Sequence, residues 1–229
     1  MNSMPHPRRS FLGWIGGTSL LGAAGFPSLS GRVLVRDPAD HAAPVADKWD
    51  VSWTDRVSGK YRAVFDSPEA SAGAALFRAV AWCDMYKDVY GADRTEMSPV
   101  VVFRHSAIPL VMNHAYWESY EIGKELKLRD AKGKKWSKAN PISAGSAPAT
   151  GPASKYKVET FLASGGVVLA CDWAFNMVVD RIRSREKIER AAARTRALEL
   201  MIPGVILQPN GVFGVLRAQE AGCHYVMAS

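Results

Sequence analysis

The segment Gly165-Gly166-Val167-Val168-Leu169-Ala170-Cys171 decides the fold of this 229-residue chain. It is short and apolar, it contains two β-branched residues, and glycines precede its strand-forming part, so it predicts a buried β-strand. A helical pattern begins directly after it at Asp172. Parallel α/β sheets bind their ligands at the carboxyl ends of their strands, and Cys171 stands at such an end.

Cys171 has two interpretations. It is a reactive thiol if the positive end of the following helix favours the thiolate. It is a small buried apolar side chain if it follows the usual role of free cysteine. The neighbouring carboxylate of Asp172 weighs against reactivity, because it opposes a second negative charge. The position of Cys171 alone leaves both interpretations open.

Outward from this strand, the chain alternates between strand-like and helix-like segments. The other predicted strands are residues 61–65, 100–103, 205–207 and 225–227. The predicted helices are residues 69–90, 115–126, 155–163, 173–201 with a break near Ser184, and 212–221. Ser67 is the expected N-cap of the first of them. Strands separated by helices predict an α/β fold with a parallel sheet covered on both faces.

Polar residues follow each of the first four strands, and the carboxyl ends of parallel strands meet at one edge of the sheet. We therefore expect one pocket at that edge, with a cationic side chain close to the thiol. Its predicted members are Asp66, Ser67, Arg104, His105, Cys171, Asn210 and Gly211.

Several pocket members have a second interpretation. His105 could bond to backbone at the strand end, and Arg104 could pair with Asp66 or with a helix carboxylate. Turn chemistry favours reading Asn210 and Gly211 as only a turn and a helix start.

The remaining cysteines and histidines add no further site to the prediction. Cys83 lies in an apolar helical pattern, and Cys223 is expected to be a packed turn residue. An odd number of cysteines leaves one thiol free unless two chains cross-link, and no Cys-x-x-Cys motif occurs. His105, His114 and His224 lack the spacing of metal ligands, so neither a metal nor another cofactor is expected.

The charge of the chain permits an anionic partner but does not require one. The formal net charge is +7, of which two charges lie in residues 1–30, leaving +5 for the rest. The arginine-rich stretch between residues 181 and 196 is interleaved with Glu186 and Glu189. That pattern is typical of a solvated helix face, so no nucleic-acid partner is predicted.

The amino-terminal residues have the pattern of an export signal. Arg8-Arg9-Ser10-Phe11-Leu12 is a twin-arginine sequence, and a short, glycine-rich apolar stretch follows over residues 14–26. Such a stretch is a poor membrane span and a good signal core. We expect a twin-arginine signal peptide over residues 1–30, a flexible lead-in over 31–47 and one domain over 48–229, exported to the periplasm. No other segment is long and apolar enough to span a bilayer.

Residues 127–154 are predicted to form a long exposed loop, because the segment is basic at first and then rich in Ala, Pro, Gly and Ser.

The predicted helices carry four large aromatic residues, Trp82, Trp117, Tyr120 and Trp173. Some of these exceed what one small core needs, which predicts contacts between subunits of a homo-oligomer.

Four segments together resemble the DsrE/DsrF-like family in its exported, twin-arginine branch. They are Gly59-Lys60-Tyr61-Arg62-Ala63-Val64-Phe65-Asp66-Ser67-Pro68, Val100-Val101-Val102-Phe103-Arg104-His105-Ser106-Ala107-Ile108-Pro109-Leu110, Leu169-Ala170-Cys171, and residues 203–211 continuing into Arg217-Ala218-Gln219-Glu220-Ala221-Gly222. The resemblance runs from about Trp49 to the C-terminus. It implies a three-layer α/β/α domain with a mostly parallel, flavodoxin-like sheet, built into trimers or hexamers.

The resemblance also implies a chemistry for Cys171, because the family's better-understood members carry persulfide sulfur on a cysteine at that position. The chain departs from those members in its export leader, in the long loop before Cys171 and in the long helical region after it. The leading hypothesis is a sulfur carrier that exchanges sulfur with a small sulfur compound or a partner protein. The alternatives are a non-catalytic module that binds a small ligand or a partner, and a structural oligomer.

Overall fold

The computed structural model describes residues 49–130, 132–145 and 151–229. Its sheet consists of β1 (Tyr61–Ser67), β2 (Met97–Phe103), β3 (Val167–Cys171), β4 (Ile206–Gln208) and β5 (His224–Met227). The strands lie in the order β4-β3-β2-β1-β5, and every neighbouring pair is parallel. The predicted α/β fold with a parallel sheet is confirmed.

Helices cover both faces of this sheet. They are α1 (Ala74–Tyr90), α2 (His114–Ser119), α3 (Ile122–Glu125), α4 (Val158–Ala163), α5 (Asp172–Glu186), α6 (Arg190–Glu199) and α7 (Gly211–Glu220). Short 3-10 helices also occur, for example Ser52–Arg56 before β1 and His105–Val111 between β2 and α2. The arrangement is the three-layer α/β/α architecture that the resemblance implies.

The two faces of the sheet have separate cores, because successive side chains of a strand point to opposite faces. Phe65 and Val101 belong to a large core shared with α1 to α6. Val64 and Leu169 belong to a smaller core shared with α7 and with Trp53. The chain steps from β1 to β4 in one direction, so right-handed crossovers place α1 to α6 on one face, and the return to β5 places α7 on the other.

The strand register brings the predicted pocket to one edge. Ser67 lies opposite Phe103, Phe103 opposite Ala170, and Cys171 opposite Gln208. The residues that follow β1, β2, β3 and β4 therefore emerge beside one another. This alignment gathers side chains that are up to 145 residues apart in sequence, such as Asp66 and Gly211.

The prediction of the first helix was wrong at its beginning. The helix starts at Ala74 rather than at residue 69, because Ser71, Ala72 and Gly73 have φ angles of 36°, 51° and 88°. Left-handed backbone cannot continue a right-handed helix, and Gly73 is the residue that adopts it at least cost. Ser67 is therefore no N-cap; it ends β1, and its hydroxyl donates to the carbonyl of Glu69 at 2.9 Å. The helix does end at Gly91, as its sequence indicates.

The helix predicted over 115–126 is divided into α2 and α3, because Glu121 has a left-handed φ of 52°. The other boundaries follow the predictions more closely. The break expected near Ser184 lies at Lys187, whose φ of 59° separates α5 from α6. The segment 127–154 lacks α-helices in its described part, but it is not exposed throughout. Asn140 is buried, and its Nδ2 donates to the carbonyls of Leu110 and Met112 at 2.7 Å each, which anchors this part of the segment to the core.

The predicted signal peptide (1–30) and lead-in (31–47) lie outside the described residues. Within the described part of the chain, none of the helices combines the length and apolar character needed to cross a bilayer. Among the four large aromatic residues noted above, Trp117 and Tyr120 are buried in the core and Trp82 is partly buried. Trp173 differs, because 73% of its surface is exposed.

Candidate functional site

A cavity of about 670 Å³ opens at the carboxyl ends of β2, β3 and β4. Its wall brings together five of the predicted residues, namely Arg104, His105, Cys171, Asn210 and Gly211. The rest of its wall consists of Trp173, Ala174 and Met177 from α5 and of Val212, Phe213 and Leu216 from α7. One guanidinium, one imidazole and one thiol thus share a cavity that is otherwise mainly apolar.

Cys171 caps the amino terminus of α5. Its Sγ accepts a hydrogen bond from the backbone N–H of Ala174 at 3.4 Å, and the residue is 6% exposed. A helix amino terminus carries a partial positive charge, which favours a thiolate at the cap over a neutral thiol. The helix is 15 residues long, so its dipole is fully developed at this end.

The neighbouring carboxylate is neutralised by an arginine that sequence analysis did not assign to the site. Asp172 Oδ1 accepts a hydrogen bond from Arg194 Nη2 at 2.6 Å, and only 16% of the Asp172 side chain is exposed. Arg194 comes from α6, which folds back along α5. The pair reduces the repulsion that Asp172 would exert on a Cys171 thiolate.

Arg104 is held in place by the carboxylate of Asp66. Its Nε donates to Oδ1 at 2.8 Å and its Nη2 donates to Oδ2 at 2.9 Å, which is the bidentate geometry of strong arginine–carboxylate pairs. The hydrogen bond to Asp66 is the main cause of the raised pKa of Arg104, and the negative charge of the Asp66 carboxylate adds to it, while burial opposes it. Arg104 is therefore a fixed cation that lines the same cavity as the Cys171 thiol.

Asp66 and Ser67 lie behind this cation rather than on the cavity wall. Asp66 is 2% exposed and also accepts a hydrogen bond from the hydroxyl of Tyr225 at 3.0 Å. Ser67 is fully buried. Pairing with Arg104 lowers the energy of the Asp66 carboxylate. The Asp66 side chain is therefore buried against the guanidinium, and Arg104 is the member of the pair that lines the cavity. The alternative that paired Arg104 with Asp66 is the one that the structure bears out.

His105 lies on the wall with its side chain exposed to solvent. Its backbone has a φ of 48°, a left-handed conformation that is uncommon for residues other than glycine. Within the described part of the chain, its imidazole makes no hydrogen bond, so it does not bond to backbone at the strand end.

Asn210 and Gly211 start α7, as turn chemistry favours, and they also contribute to the wall. The Asn210 side chain accepts a hydrogen bond from the N–H of Phe213 at 2.8 Å. A Cβ at position 211 would lie 2.5 Å from Cβ of Arg104 and 2.6 Å from its Cδ. The absence of a side chain at Gly211 therefore makes room for the stem of Arg104.

The apolar side of the cavity was missed by sequence analysis. Trp173 and Met177 are four residues apart, and Trp173 lies two residues after Cys171. Val212 and Leu216 are also four residues apart, and Val212 lies two residues after Asn210. That repeated spacing is the signal that would have predicted two apolar helix faces meeting above the strand ends.

The other two cysteines lie in different surroundings. Cys83 and Cys223 are both buried away from the cavity, and burial raises the pKa of each thiol to about 11. All three cysteines are free thiols. The packing roles expected for Cys83 and Cys223 agree with this burial.

Across residues 49–130, 132–145 and 151–229, no group of three or more His, Cys, Asp or Glu side chains is placed to hold a metal ion. No protein-family model matches the chain, and no curated protein or solved structure matches it significantly. The interpretation of the site therefore depends on its own geometry.

Proposed function

We propose that this chain is a sulfur carrier that holds a persulfide on Cys171. The observation that carries the proposal is the position of the Cys171 Sγ, which accepts a hydrogen bond at the amino terminus of α5 and lines a cavity together with Arg104. Helix dipole and guanidinium both favour a thiolate, which is the nucleophilic form of cysteine. The same two charges would favour the anionic perthiolate product.

The proposed loading step needs only a donor that contains sulfane sulfur. The Cys171 thiolate attacks the terminal sulfur of a persulfide or polysulfide, and a new S–S bond forms on Cys171. The S–S bond of the donor breaks, and the donor leaves as a thiolate that takes up a proton from water or from His105. One S–S bond replaces another when the sulfane sulfur passes from the donor to Cys171, so no external oxidant or reductant is needed.

Mass spectrometry of the full chain after exposure to inorganic tetrasulfide tests this proposal. We expect the peptide that contains Cys171 to gain the mass of one sulfur atom, and the gain to disappear on treatment with dithiothreitol. The Cys83→Ser/Cys223→Ser variant should load like the unaltered chain, and Cys171→Ser should not load. A Cys171 that stays unmodified both with inorganic tetrasulfide and with an organic persulfide such as n-hexyl persulfide would overturn the proposal in favour of a binding module.

That second candidate, a non-catalytic module for a small ligand or a partner, is favoured by the apolar wall. Four apolar side chains of this wall are about half exposed or more, and an occupant would remove them from water. Equilibrium binding of a ligand that is unchanged in Cys171→Ser, together with an inert thiol, would support this function over the carrier.

Membership of the DsrE/DsrF-like family, export and assembly belong to the same proposal. A parallel sheet with a cysteine at the end of an interior strand supports the family assignment. Exposed apolar residues along α1, among them Phe77, Met85 and Val89, support a homo-oligomer, with a trimer or hexamer implied by the resemblance. Light scattering at micromolar concentration tests assembly, and a monomeric mass would contradict it.

A further inference from the structure

We infer that the sulfur compound that loads Cys171 is an organic persulfide, R–S–SH, whose group R is an extended apolar body. The inference rests on the proposed function, and it names the substrate class of that site. It sets such a compound apart from hydrosulfide and short inorganic polysulfides, which are small and strongly hydrated.

The size of the cavity is the first argument. Hydrosulfide contains a single heavy atom, comparable to a water molecule, which takes roughly 30 Å³ of liquid volume. The cavity at Cys171 measures about 670 Å³. That volume lies within the range of roughly 300–1,000 Å³ that is typical of sites for small organic ligands.

The chemistry of the wall is the second argument. Trp173 and Met177 on α5 face the same cavity as Val212 and Leu216 on α7. In that order, their exposed fractions are 73%, 48%, 57% and 52%. A large apolar area on the wall of the cavity is therefore exposed to water. An apolar body lying between the two helices would cover these side chains, which is favourable in proportion to the area removed from water.

The charges are the third argument, because the charged and polar groups of the cavity wall are few and all come from the strand ends. They are Arg104, His105, Cys171 and Asn210, with the amino termini of α5 and α7, and they form the polar end of the cavity. Asp66 already compensates most of the Arg104 charge, since it binds Nε and Nη2. Nη1 of Arg104 makes no hydrogen bond to the described residues. One anionic sulfur end fits this arrangement, whereas a polyanion would not find enough positive charge.

The transfer step follows from this placement. The sulfane sulfur of R–S–SH lies at the polar end, and the apolar group R lies between α5 and α7. The Cys171 thiolate attacks that sulfur, and a new S–S bond gives Cys171–S–SH. The S–S bond of the donor, between R–S and the transferred sulfur, breaks. The product R–S⁻ leaves with the electron pair of the broken bond and is protonated by water.

A series of donors of increasing chain length tests the inference on the full chain. Methyl, n-butyl and n-hexyl persulfide are compared with inorganic tetrasulfide, and the rate at which the Cys171 peptide gains one sulfur is measured by mass spectrometry. Full burial of a methylene corresponds to roughly fourfold in an equilibrium constant, so partial burial should give about twofold per methylene. We expect hexyl persulfide to load Cys171 at least about tenfold faster than methyl persulfide.

Two matched variants locate the effect. Leu216→Gln places a polar side chain on the cavity wall and should reduce the preference for the hexyl donor by roughly fivefold. Leu198→Gln makes the same change at an exposed position on α6, outside the cavity wall, and should leave the preference unchanged. Rates that do not depend on chain length, with normal loading by tetrasulfide, would overturn the substrate class and leave the carrier intact.

A binding measurement separates the remaining outcomes. If no donor loads Cys171, the carrier fails, and calorimetry with 1-hexanethiol on the Cys171→Ser chain decides the ligand class. Binding that Leu216→Gln weakens, and that Leu198→Gln does not, would keep an apolar thiol as the ligand of a binding module. Absence of binding would overturn the inference as well.

Discussion

Arg104 and Asp66 form a bidentate ion pair that joins the ends of β1 and β2, with N–O distances of 2.8 and 2.9 Å. The two residues are 38 positions apart in sequence. The carboxylate side chain is 4% exposed and the guanidinium side chain 28% exposed. The buried Asp66 therefore fixes the orientation of the partly exposed Arg104, and the guanidinium is held at the cavity.

Removing Asp66 should destabilise the protein more than removing a surface carboxylate. Asp66→Ala leaves a partly buried guanidinium unpaired and the Tyr225 hydroxyl without its acceptor. We expect a loss of about 2–3 kcal/mol in the free energy of unfolding, less than for a fully buried pair because Arg104 can be rehydrated in part. Urea denaturation measures this loss.

The matched control is Asp180→Ala, because Asp180 pairs with Arg190 on the surface with both side chains more than half exposed. Exposed pairs contribute about 0–1 kcal/mol. Equal losses in the two variants would show that the Arg104 pair has no special role in stability.

The three thiols should differ in their rates of alkylation at pH 7. Burial raises the pKa of Cys83 and of Cys223 to about 11, so their thiolate fractions are very small at this pH. Cys171 has the helix amino terminus and Arg104 in its favour and lines a cavity. We expect iodoacetamide to modify Cys171 first, as measured by peptide mass spectrometry, and Arg104→Ala to slow that reaction. If Cys171 is the slowest of the three, the carrier proposal should be abandoned.

The Asp172–Arg194 pair gives a second way to change the same thiol. In Arg194→Ala the Asp172 carboxylate loses its partner and opposes the Cys171 thiolate, so alkylation of Cys171 should slow by roughly two- to fivefold. Arg190→Ala removes the same charge from the same helix, but it frees Asp180 and the side-chain oxygen of Asn176 rather than the Asp172 carboxylate. Equal effects in both variants would point to net charge alone, and Asp172→Asn should restore the rate in the Arg194→Ala chain.

Alkaline stability should depend on the two packed cysteines. Their thiol pKa rises from an ordinary value of 9.0 to about 11 in the folded chain, so above pH 9 the unfolded chain loses these protons first. Because the unfolded state then binds fewer protons than the folded one, stability is fully present below pH 9 and falls as the pH rises toward 11. The melting temperature should decline less over this interval in Cys83→Ala/Cys223→Ala. A parallel decline in both proteins would exclude the thiols as the cause.

The expected twin-arginine signal can be tested by substituting Arg8 and Arg9. Replacing Arg8 and Arg9 by lysine keeps the charge but removes the twin-arginine sequence. We expect the altered precursor to stay in the cytoplasm of a bacterium with a twin-arginine pathway, while the unaltered chain is exported and shortened. Fractionation and immunoblotting measure both. Export of the lysine variant at the normal rate would refute the assignment.

Sequence alone determined the order of the strands and helices along the chain, and it identified the residues that lie at the strand ends. The run 167–171 is short and apolar at every position, it contains two β-branched residues and glycines precede it, and together these features favour a strand buried on both faces. The carboxyl ends of parallel strands share one edge of a sheet, so Arg104, His105 and Cys171 could be predicted to meet there. These inferences use local periodicity and one rule of topology, and neither requires knowledge of distant contacts.

Only the tertiary structure decided which side chains face the cavity and which stand behind it. The pairing of Asp66 with Arg104, and of Asp172 with Arg194, depends on the distances between elements that the sequence does not encode locally. The start of α1 at Ala74 depends on a left-handed turn at Ser71, Ala72 and Gly73, two of which have no propensity for it. Long-range packing overrides local preference at such places, because the stability gained in the core exceeds the small cost of one strained residue.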